Sequence, residues 1–270
     1  MLRADNLPLQ LYHKAKTLMW DPRAIDLTQD ARDWQQLSHE ERDILLRLAA
    51  QFLQGEEAVT HDLTPLLLVL RRQGDLLEEE MFLTTQLFEE SKHVEWFARW
   101  FDEVAQASPP AVESSAYRAL FMHELPRALD RLLHDASPHA QVEAIATYHL
   151  IVEGVLAETG YRGYARALGE RGLLPGTTHA IALVQRDESR HIAYGLHALT
   201  RLCRADAALW EALMARLNHL LPLALEIVRD TFAPYGDAVP FGLDPAEFVT
   251  YASDQFDHRL RVLERELALA

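Results

Sequence analysis

The chain has 270 residues and a formal net charge of −15 at pH 7. An all-helical fold of this length can share one core, so we expect a single domain over residues 1–270. The acidic charge repels phosphates and no basic stripe offsets it, which argues against binding to nucleic acid or to an anionic membrane surface. The single cysteine, Cys203, excludes an intrachain disulfide framework and indicates a reducing, cytoplasmic compartment. We expect neither a signal peptide nor a membrane span.

Apolar periodicity predicts seven helices and no strand. The first 35 residues lack that periodicity and are predicted to wrap over the surface. The first helix begins at Ser38, which forms a capping box with Glu41, and runs to about Arg72. The remaining helices are predicted over about 76–107, 111–135 with a bend at Pro126, 137–168, 178–203, 206–232 and from Asp244 onward. The loop from Ala233 to the last helix is predicted to lie on the surface.

Two Glu-x-x-His pairs are the first candidates for chemistry, Glu90 with His93 and Glu188 with His191. Residues three apart share one face of a helix, so each pair can offer an oxygen and a nitrogen to one metal ion. Two such matches barely exceed what random placement would produce. The pairs alone therefore do not establish a metal site.

A weak internal repeat strengthens the case for metal. Glu56 lies 34 residues before Glu90, and Glu153 lies 35 residues before Glu188. Glu153 stands within the apolar run LIVEGVL, where an ionised carboxylate is costly to bury unless it is paired or bound to a metal. Carboxylate and imidazole ligands suit iron and manganese. The sequence therefore predicts a dinuclear site with six ligands, Glu56, Glu90, His93, Glu153, Glu188 and His191.

Four neighbouring acids, Glu57, Glu89, Glu158 and Asp187, are not predicted to be direct ligands. Asp187 is the best candidate to accept the free N–H of a ligating histidine, and a surface role is the alternative. The six-ligand set is the one found in ferritin-like carboxylate bundles. We therefore expect an all-α fold, a ferritin-like four-helix bundle core with additional helices and the dinuclear site inside it. The alternative is a metal-free bundle of solvated charges and core histidines.

Six segments together resemble the R2-like ligand-binding oxidases, which are relatives of the ribonucleotide reductase small subunit. The resemblance covers nearly the whole chain. The segments are LYHKAK (11–16), WDPRAIDLTQD (20–30), QFLQGEEAVTHDLTPLL (51–67), EESKHVEWF (89–97), YHLIVEGVLAETGY (148–161) and DESRHIAYG (187–195).

The resemblance implies an oxidoreductase with one manganese and one iron ion that activates dioxygen. It places manganese at Glu56, Glu90 and His93 and iron at Glu153, Glu188 and His191, with a di-iron centre as the alternative. Affinity order alone would favour iron(II) over manganese(II) at both sites.

The family pattern further implies an ether crosslink that joins the oxygen of Tyr148 to the β-carbon of Val59. It also implies a long-chain fatty acid beside the metals and a homodimer. Without the resemblance, core packing would account for Tyr148 and Val59.

Two other functions remain open at this stage. A ribonucleotide reductase small subunit commonly has a radical tyrosine four residues after the first ligand histidine, but this chain has Phe97 there. It also ends in the helical pattern VLERELALA instead of a flexible tail. A ferritin-type iron store is the other alternative, although such subunits are shorter.

Overall fold

The computed structural model describes residues 2–268, and every regular element within them is a helix. The predicted all-α class is therefore confirmed. The α-helices are α1 Leu7–Thr17, α2 Thr28–Trp34, α3 His39–Asp62, α4 Thr64–Gln73, α5 Leu77–Trp100, α6 Ser115–Ala119, α7 Leu125–Arg131, α8 Pro138–Ile145, α9 Glu158–Ala167, α10 Pro175–Ala205, α11 Leu209–Phe232 and α12 Pro245–Ala268. Three π-helical segments, Phe101–Ala105, Leu120–Glu124 and Ala146–Ala157, follow α5, α6 and α8.

Local capping explains where the main helices begin. The Ser38 hydroxyl accepts the backbone N–H of Glu41, and the Glu41 carboxylate accepts the backbone N–H of Ser38, so the predicted capping box is present. Ser137 caps α8 by accepting the N–H of Ala140, with Pro138 at the first helical position. These starts agree with the sequence prediction.

The predicted helix from Ser38 to Arg72 is wrong, because the chain forms two helices there. The first helix, α3, ends at Asp62, and α4 begins at Thr64 after the junction residue Leu63. Pro65 lies in the first turn of α4, where its missing N–H breaks no intrahelical hydrogen bond. Periodicity continues across the junction, so it concealed the break.

The prediction that the first 35 residues wrap irregularly over the surface is also wrong. They form α1, a 3₁₀ turn and α2, and α1 packs against α5. Leu9 and Leu11 are buried, and the fully buried Asp30 accepts the backbone N–H groups of Gly176 and Thr177. Short helices that bury only a few residues leave too little periodicity to detect. In the loop after α11, Phe241 is likewise buried, whereas Ala233 and Gly236 are exposed.

Four long helices surround the centre of the molecule: α3, α5, the continuous helix from α8 through α9, and α10. The α3 helix packs on α5, and the π-helical segment Ala146–Ala157 packs on α10. Helices α11 and α12 cover the outer side of that π-helical segment, which is why nearly all of its side chains are buried. No helix within residues 2–268 is long and apolar enough to cross a membrane.

The π-helical segment determines which side chains face the centre. Its hydrogen bonds join residues five apart, so Tyr148 and Glu153 lie one above the other on the same side. Small residues allow this segment to pack closely. A β-carbon at Gly195 of α10 would lie 2.3 Å from the β-carbon of His149. Glycine at position 195 therefore lets α10 approach the π-helical segment.

Candidate metal centre

Six buried acids and histidines converge between the four central helices. Two groups of donor atoms each lie within 4.8 Å of one another. The first group is Glu56, Glu90, His93 and Glu188, and the second is Glu90, Glu153, Glu188 and His191. These are the six residues that the sequence singled out. Glu90 and Glu188 belong to both groups, an arrangement in which two carboxylates could bridge two ions.

The distances between donor atoms suit metal coordination. The Nδ1 atom of His93 lies 3.4 Å from Glu56 Oε2 and 3.3 Å from Glu188 Oε1. The Nδ1 atom of His191 lies 3.0 Å from Glu90 Oε1 and 3.4 Å from Glu153 Oε1. Donors bound about 2.1 Å from one ion at octahedral angles lie about 3 Å apart. Each group could therefore converge on one ion with little movement.

The hydrogen bonding of the two histidines leaves one ring nitrogen of each available for metal. Nε2 of His93 lies 3.4 Å from Asp187 Oδ2, and Nε2 of His191 lies 2.9 Å from Glu89 Oε2. Both Nδ1 atoms are buried and have no hydrogen-bond partner among residues 2–268. A ligating histidine commonly donates its other N–H to a carboxylate, which fixes the tautomer. The residues therefore fit a dinuclear metal site.

The buried carboxylates of the site also need positive charge near them in order to be ionised together. Burial raises the pKa of Glu56 to about 8, although the neighbouring His93 lowers it. Burial and the charge of Glu188 raise the pKa of Glu153 well above its ordinary value. Burial would likewise raise the pKa of Glu90, but His191 and His93 hold it below its ordinary value. Four carboxylates at this separation repel one another, so an ionised set requires cations among them.

Asp187 is buried and connects several elements. It accepts hydrogen bonds from the indole of Trp20 at 2.7 Å and from the ammonium of Lys92 at 2.6 Å. Arg190 donates to its other oxygen at 2.6 Å. Burial raises the pKa of Asp187, but the hydrogen bond with His93 and the charge of Lys92 outweigh that effect and hold it well below its usual range. The structure thus places Asp187 behind a histidine, as the sequence suggested, and not on the surface.

Glu89 has the same role beside the other histidine, which sequence reasoning did not identify. It accepts a hydrogen bond from His191 and forms an ion pair with Arg190. The signal was present in the repeat, because EESKH and DESRH place an acid and a base at matching positions. Comparing the two segments position by position would have predicted Glu89, Lys92 and Arg190 together with Asp187.

Tyr148 and Val59, the other predicted site residues, both lie close to the acids. The buried hydroxyl of Tyr148 donates to Glu90 Oε1 at 2.8 Å. Burial and the charge of Glu90 raise the pKa of Tyr148 well above its ordinary value, so the phenol is protonated. Val59 lies one helical turn after Glu56 on α3 and is buried.

An apolar cavity opens onto the acids from one side. Val59 lines it together with Glu56, Glu90, Glu153 and Glu188. The rest of its wall is mainly apolar and includes Leu48, Phe52, Leu156, Ile227, Val228 and Phe248. The cavity therefore has one strongly polar end and a long apolar wall.

Comparison with known proteins identifies the family. The sequence model for the small chain of ribonucleotide reductase matches residues 4–266. A point variant of an R2-like ligand-binding oxidase with a reconstituted Mn/Fe cofactor shares 33% sequence identity, with a TM-score of 0.92 over 97% of this chain and 98% of that chain. The chain belongs to the R2-like ligand-binding oxidase family.

Two further structures of R2-like ligand-binding oxidases give closely similar values. One, examined after photoconversion of its reconstituted metal cofactor, has a TM-score of 0.91 and 34% identity over 96% of this chain and 93% of that chain. The other, with an aerobically reconstituted Mn/Fe cofactor, has the same TM-score and identity over the same shares. The predicted ferritin-like bundle and the predicted resemblance are therefore confirmed.

Phe97 occupies an apolar position in this chain. Its buried ring stacks on Phe52, with ring centroids 5.2 Å apart, and Phe52 stacks in turn on Tyr161. A phenylalanine has no hydroxyl to oxidise to a tyrosyl radical. The residue four positions after His93 therefore contributes packing.

Proposed function

We propose that this chain is a dioxygen-activating oxidase with a heterodinuclear Mn/Fe centre. The observation that carries the proposal is the pair of ligand groups that share Glu90 and Glu188, with a phenol on one shared acid and an apolar cavity beside both. The relatives with a Mn/Fe cofactor support the choice of metals. A di-iron centre is the alternative, because iron(II) binds such ligands more tightly than manganese(II).

The assignment of each metal to a site follows the family resemblance, and the two groups of donors support the two sets of ligands. Glu56, Glu90 and His93 would hold manganese, and Glu153, Glu188 and His191 would hold iron. Glu90 and Glu188 belong to both groups. When bound, the two ions supply binding of dioxygen and one-electron redox steps. Asp187 and Glu89 keep the histidine Nδ1 atoms pointed at the acids by holding the opposite ring nitrogens.

The oxidation that we assign to this site joins two of the chain's own side chains. Tyr148 loses its O–H proton, Val59 loses its Cβ–H, and an ether bond forms between the phenolic oxygen and the β-carbon. Dioxygen, the oxidant, takes up the two electrons and two protons that are released. The β-carbon of valine carries a tertiary C–H, whose removal is easier than that of a primary one. The hydrogen bond to Glu90 holds the phenol beside the ligands and provides an acceptor for its proton.

A long-chain fatty acid is the ligand that we assign to the cavity. Its carboxylate would lie at the polar end on the metal ions, because the four glutamates would otherwise repel it. Its chain would lie along the apolar wall, where each buried methylene contributes about 0.8 kcal/mol. We also propose that the protein forms a homodimer, which light scattering would test.

Intact-mass and peptide mapping test the oxidase assignment. Apoprotein loaded with manganese(II), iron(II) and air should lose two hydrogens, about 2 Da by the balance of the reaction above, and yield a linked pair of peptides containing Val59 and Tyr148. The matched control is protein loaded with the same metals without air, which should remain unlinked. Unlinked peptides in fully metallated, aerated protein would contradict the assignment.

A ribonucleotide reductase small subunit is the rival within the same family match. Electron spin resonance after aerobic loading separates the two functions. We expect no stable tyrosyl radical, because Phe97 stands at the usual radical position. A stable tyrosyl radical together with reductase activity would favour the rival.

A further inference from the structure

The two halves of the metal centre differ in one buried hydrogen bond. The side-chain amide of Gln86 on α5 donates from Nε2 to Glu153 Oε1 at 3.0 Å. Gln86 is fully buried, and it lies one helical turn before Glu90 on the same helix. Oε1 of Glu153 therefore accepts a hydrogen bond from a neutral donor on a helix that carries other candidate ligands.

A second buried side chain supports this amide. Nε2 of His149 lies 3.3 Å from both Oε1 and Nε2 of Gln86, and His149 is fully buried. The imidazole therefore contacts the amide as a donor to its oxygen or as an acceptor from its nitrogen, according to its tautomer. The close packing of Gly195 against His149 holds the imidazole in place. Reversing the amide would turn its oxygen toward the Glu153 carboxylate and remove the hydrogen bond that Gln86 donates.

Glu56, the corresponding acid of the other half, lacks such a holder. Within residues 2–268, its close polar neighbour is His93, and no amide or hydroxyl donates to it. Both Glu56 and Glu153 line the apolar cavity. The two acids therefore differ in the buried amide donor, which contacts Glu153 and not Glu56.

We propose that Gln86 is a positioning residue that makes the Glu153, Glu188 and His191 site the tighter of the two metal sites. A carboxylate held in its binding orientation loses less conformational freedom when an ion binds. The Glu56 carboxylate has no such amide donor, so its side chain must be ordered when the ion binds. This inference depends on the proposed metal-binding function and adds an order of occupancy to it.

Anaerobic titration of the full-length apoprotein with manganese(II), followed by calorimetry, tests the order. The parent chain should bind two ions with unequal affinities. Gln86→Leu should weaken the tighter step by about 10-fold to 100-fold, the range observed when supporting partners of metal ligands are removed. The weaker step should change by less than about threefold, because no contact of Glu56 is altered. His149→Phe, which frees the amide without removing it, should produce a smaller loss at the same step.

Crystals loaded with one equivalent of manganese identify the affected site by anomalous scattering. Because no iron competes for the tighter site in this experiment, the manganese ion should occupy the Glu153 side in the parent and shift toward the Glu56 side in Gln86→Leu. The matched control is Tyr194→Phe, whose ring contacts His149 but whose hydroxyl bonds Glu79 and not Gln86. It should retain the parent order of occupancy.

Equal weakening of both steps, or unchanged occupancy in Gln86→Leu, would overturn this inference while leaving the oxidase proposal intact. A parent chain that binds no metal would overturn the proposed function itself.

Discussion

Glu89 Oε2 lies 2.9 Å from Nε2 of His191, a histidine on the opposite helix. Asp187, the corresponding acid on α10, lies beside His93 on α5 in the same crossed manner. Each helix therefore orients the histidine that the other helix supplies. This exchange fixes α5 and α10 relative to each other at the level of the metal centre.

Replacing Glu89 by glutamine tests the crossed arrangement. The amide keeps the shape of the side chain but removes the negative charge that makes His191 a stronger base. We expect metal affinity to fall about 10-fold, with the loss greater at the site that uses His191. Anaerobic metal titration measures the effect. Glu95→Gln, an exposed change on the same helix, is the matched control and should leave affinity unchanged. Equal affinities for Glu89→Gln and parent would show that His191 needs no charged partner.

The chemistry at Val59 can be tested by changing only its β-carbon. Val59→Ala replaces the tertiary C–H by primary C–H bonds, so the protein should retain both metals but lose the crosslink to Tyr148. Val59→Ile keeps a tertiary β-carbon and is the matched control, in which we expect the link to form. Peptide mapping after aerobic loading measures both variants. A normal yield of crosslink in Val59→Ala would show that the tertiary C–H is not required.

Spacing and repetition predicted the six candidate ligands, because helices convert a separation of three residues into a shared face. The relation between Gln86 and Glu153 could not be predicted in this way. It depends on the distance between two helices and on the π-helical segment that turns Glu153 inward. The break at Leu63 was missed for a different reason, since apolar residues continue on both sides of it. Local patterns therefore predicted the six candidate ligands and the role of Asp187, but not the roles of Glu89 and Gln86.

Filling the cavity tests whether it binds a lipid. Ile227→Trp replaces an aliphatic side chain of the cavity wall by a bulky indole ring. The variant should reduce co-purified fatty acid at least about fivefold, since overpacking leaves no room for the hydrocarbon chain of the lipid. Mass spectrometry of organic extracts measures the bound lipid, and elemental analysis should show that both metals are retained. Glu226→Gln, at an exposed neighbouring position of α11, is the control and should retain the lipid. Parent-like lipid content in Ile227→Trp would place the ligand elsewhere.

The raised pKa of Asp62, at the end of α3, leads us to expect that stability falls as pH rises. Burial, together with the charge of Asp130, raises its pKa from 3.8 to about 6. The folded chain therefore holds this proton more tightly than the unfolded chain, and stability falls as pH rises from about 4 to 6. Asp62→Asn should raise the free energy of unfolding by about 1 kcal/mol above pH 6.5 and have little effect at pH 4. Thermal unfolding across this range measures the difference. A gain of equal size at both pH values would mean that titration of Asp62 is not its cause.

Asp30 predicts the largest loss of stability from a change distant from the metal ligands. Its buried carboxylate accepts the N–H of Gly176 at 2.8 Å and both the N–H and the hydroxyl of Thr177 at 2.6 Å. Asp30 thus supplies a hydrogen-bond acceptor to the free N–H groups at the start of α10, the helix that carries Glu188 and His191. Its negative charge is also favourable at a helix N-terminus.

Asp30→Ala leaves those buried donors without an acceptor, so we expect a loss of about 3 kcal/mol. For a chain of this size that corresponds to a fall in melting temperature of about 6–12 °C, measured by calorimetry on the apoprotein. Asp102→Asn, an exposed change, is the control and should unfold like the parent. A melting temperature for Asp30→Ala within about 2 °C of the parent would show that other groups accept the hydrogen bonds of the N–H groups at the start of α10.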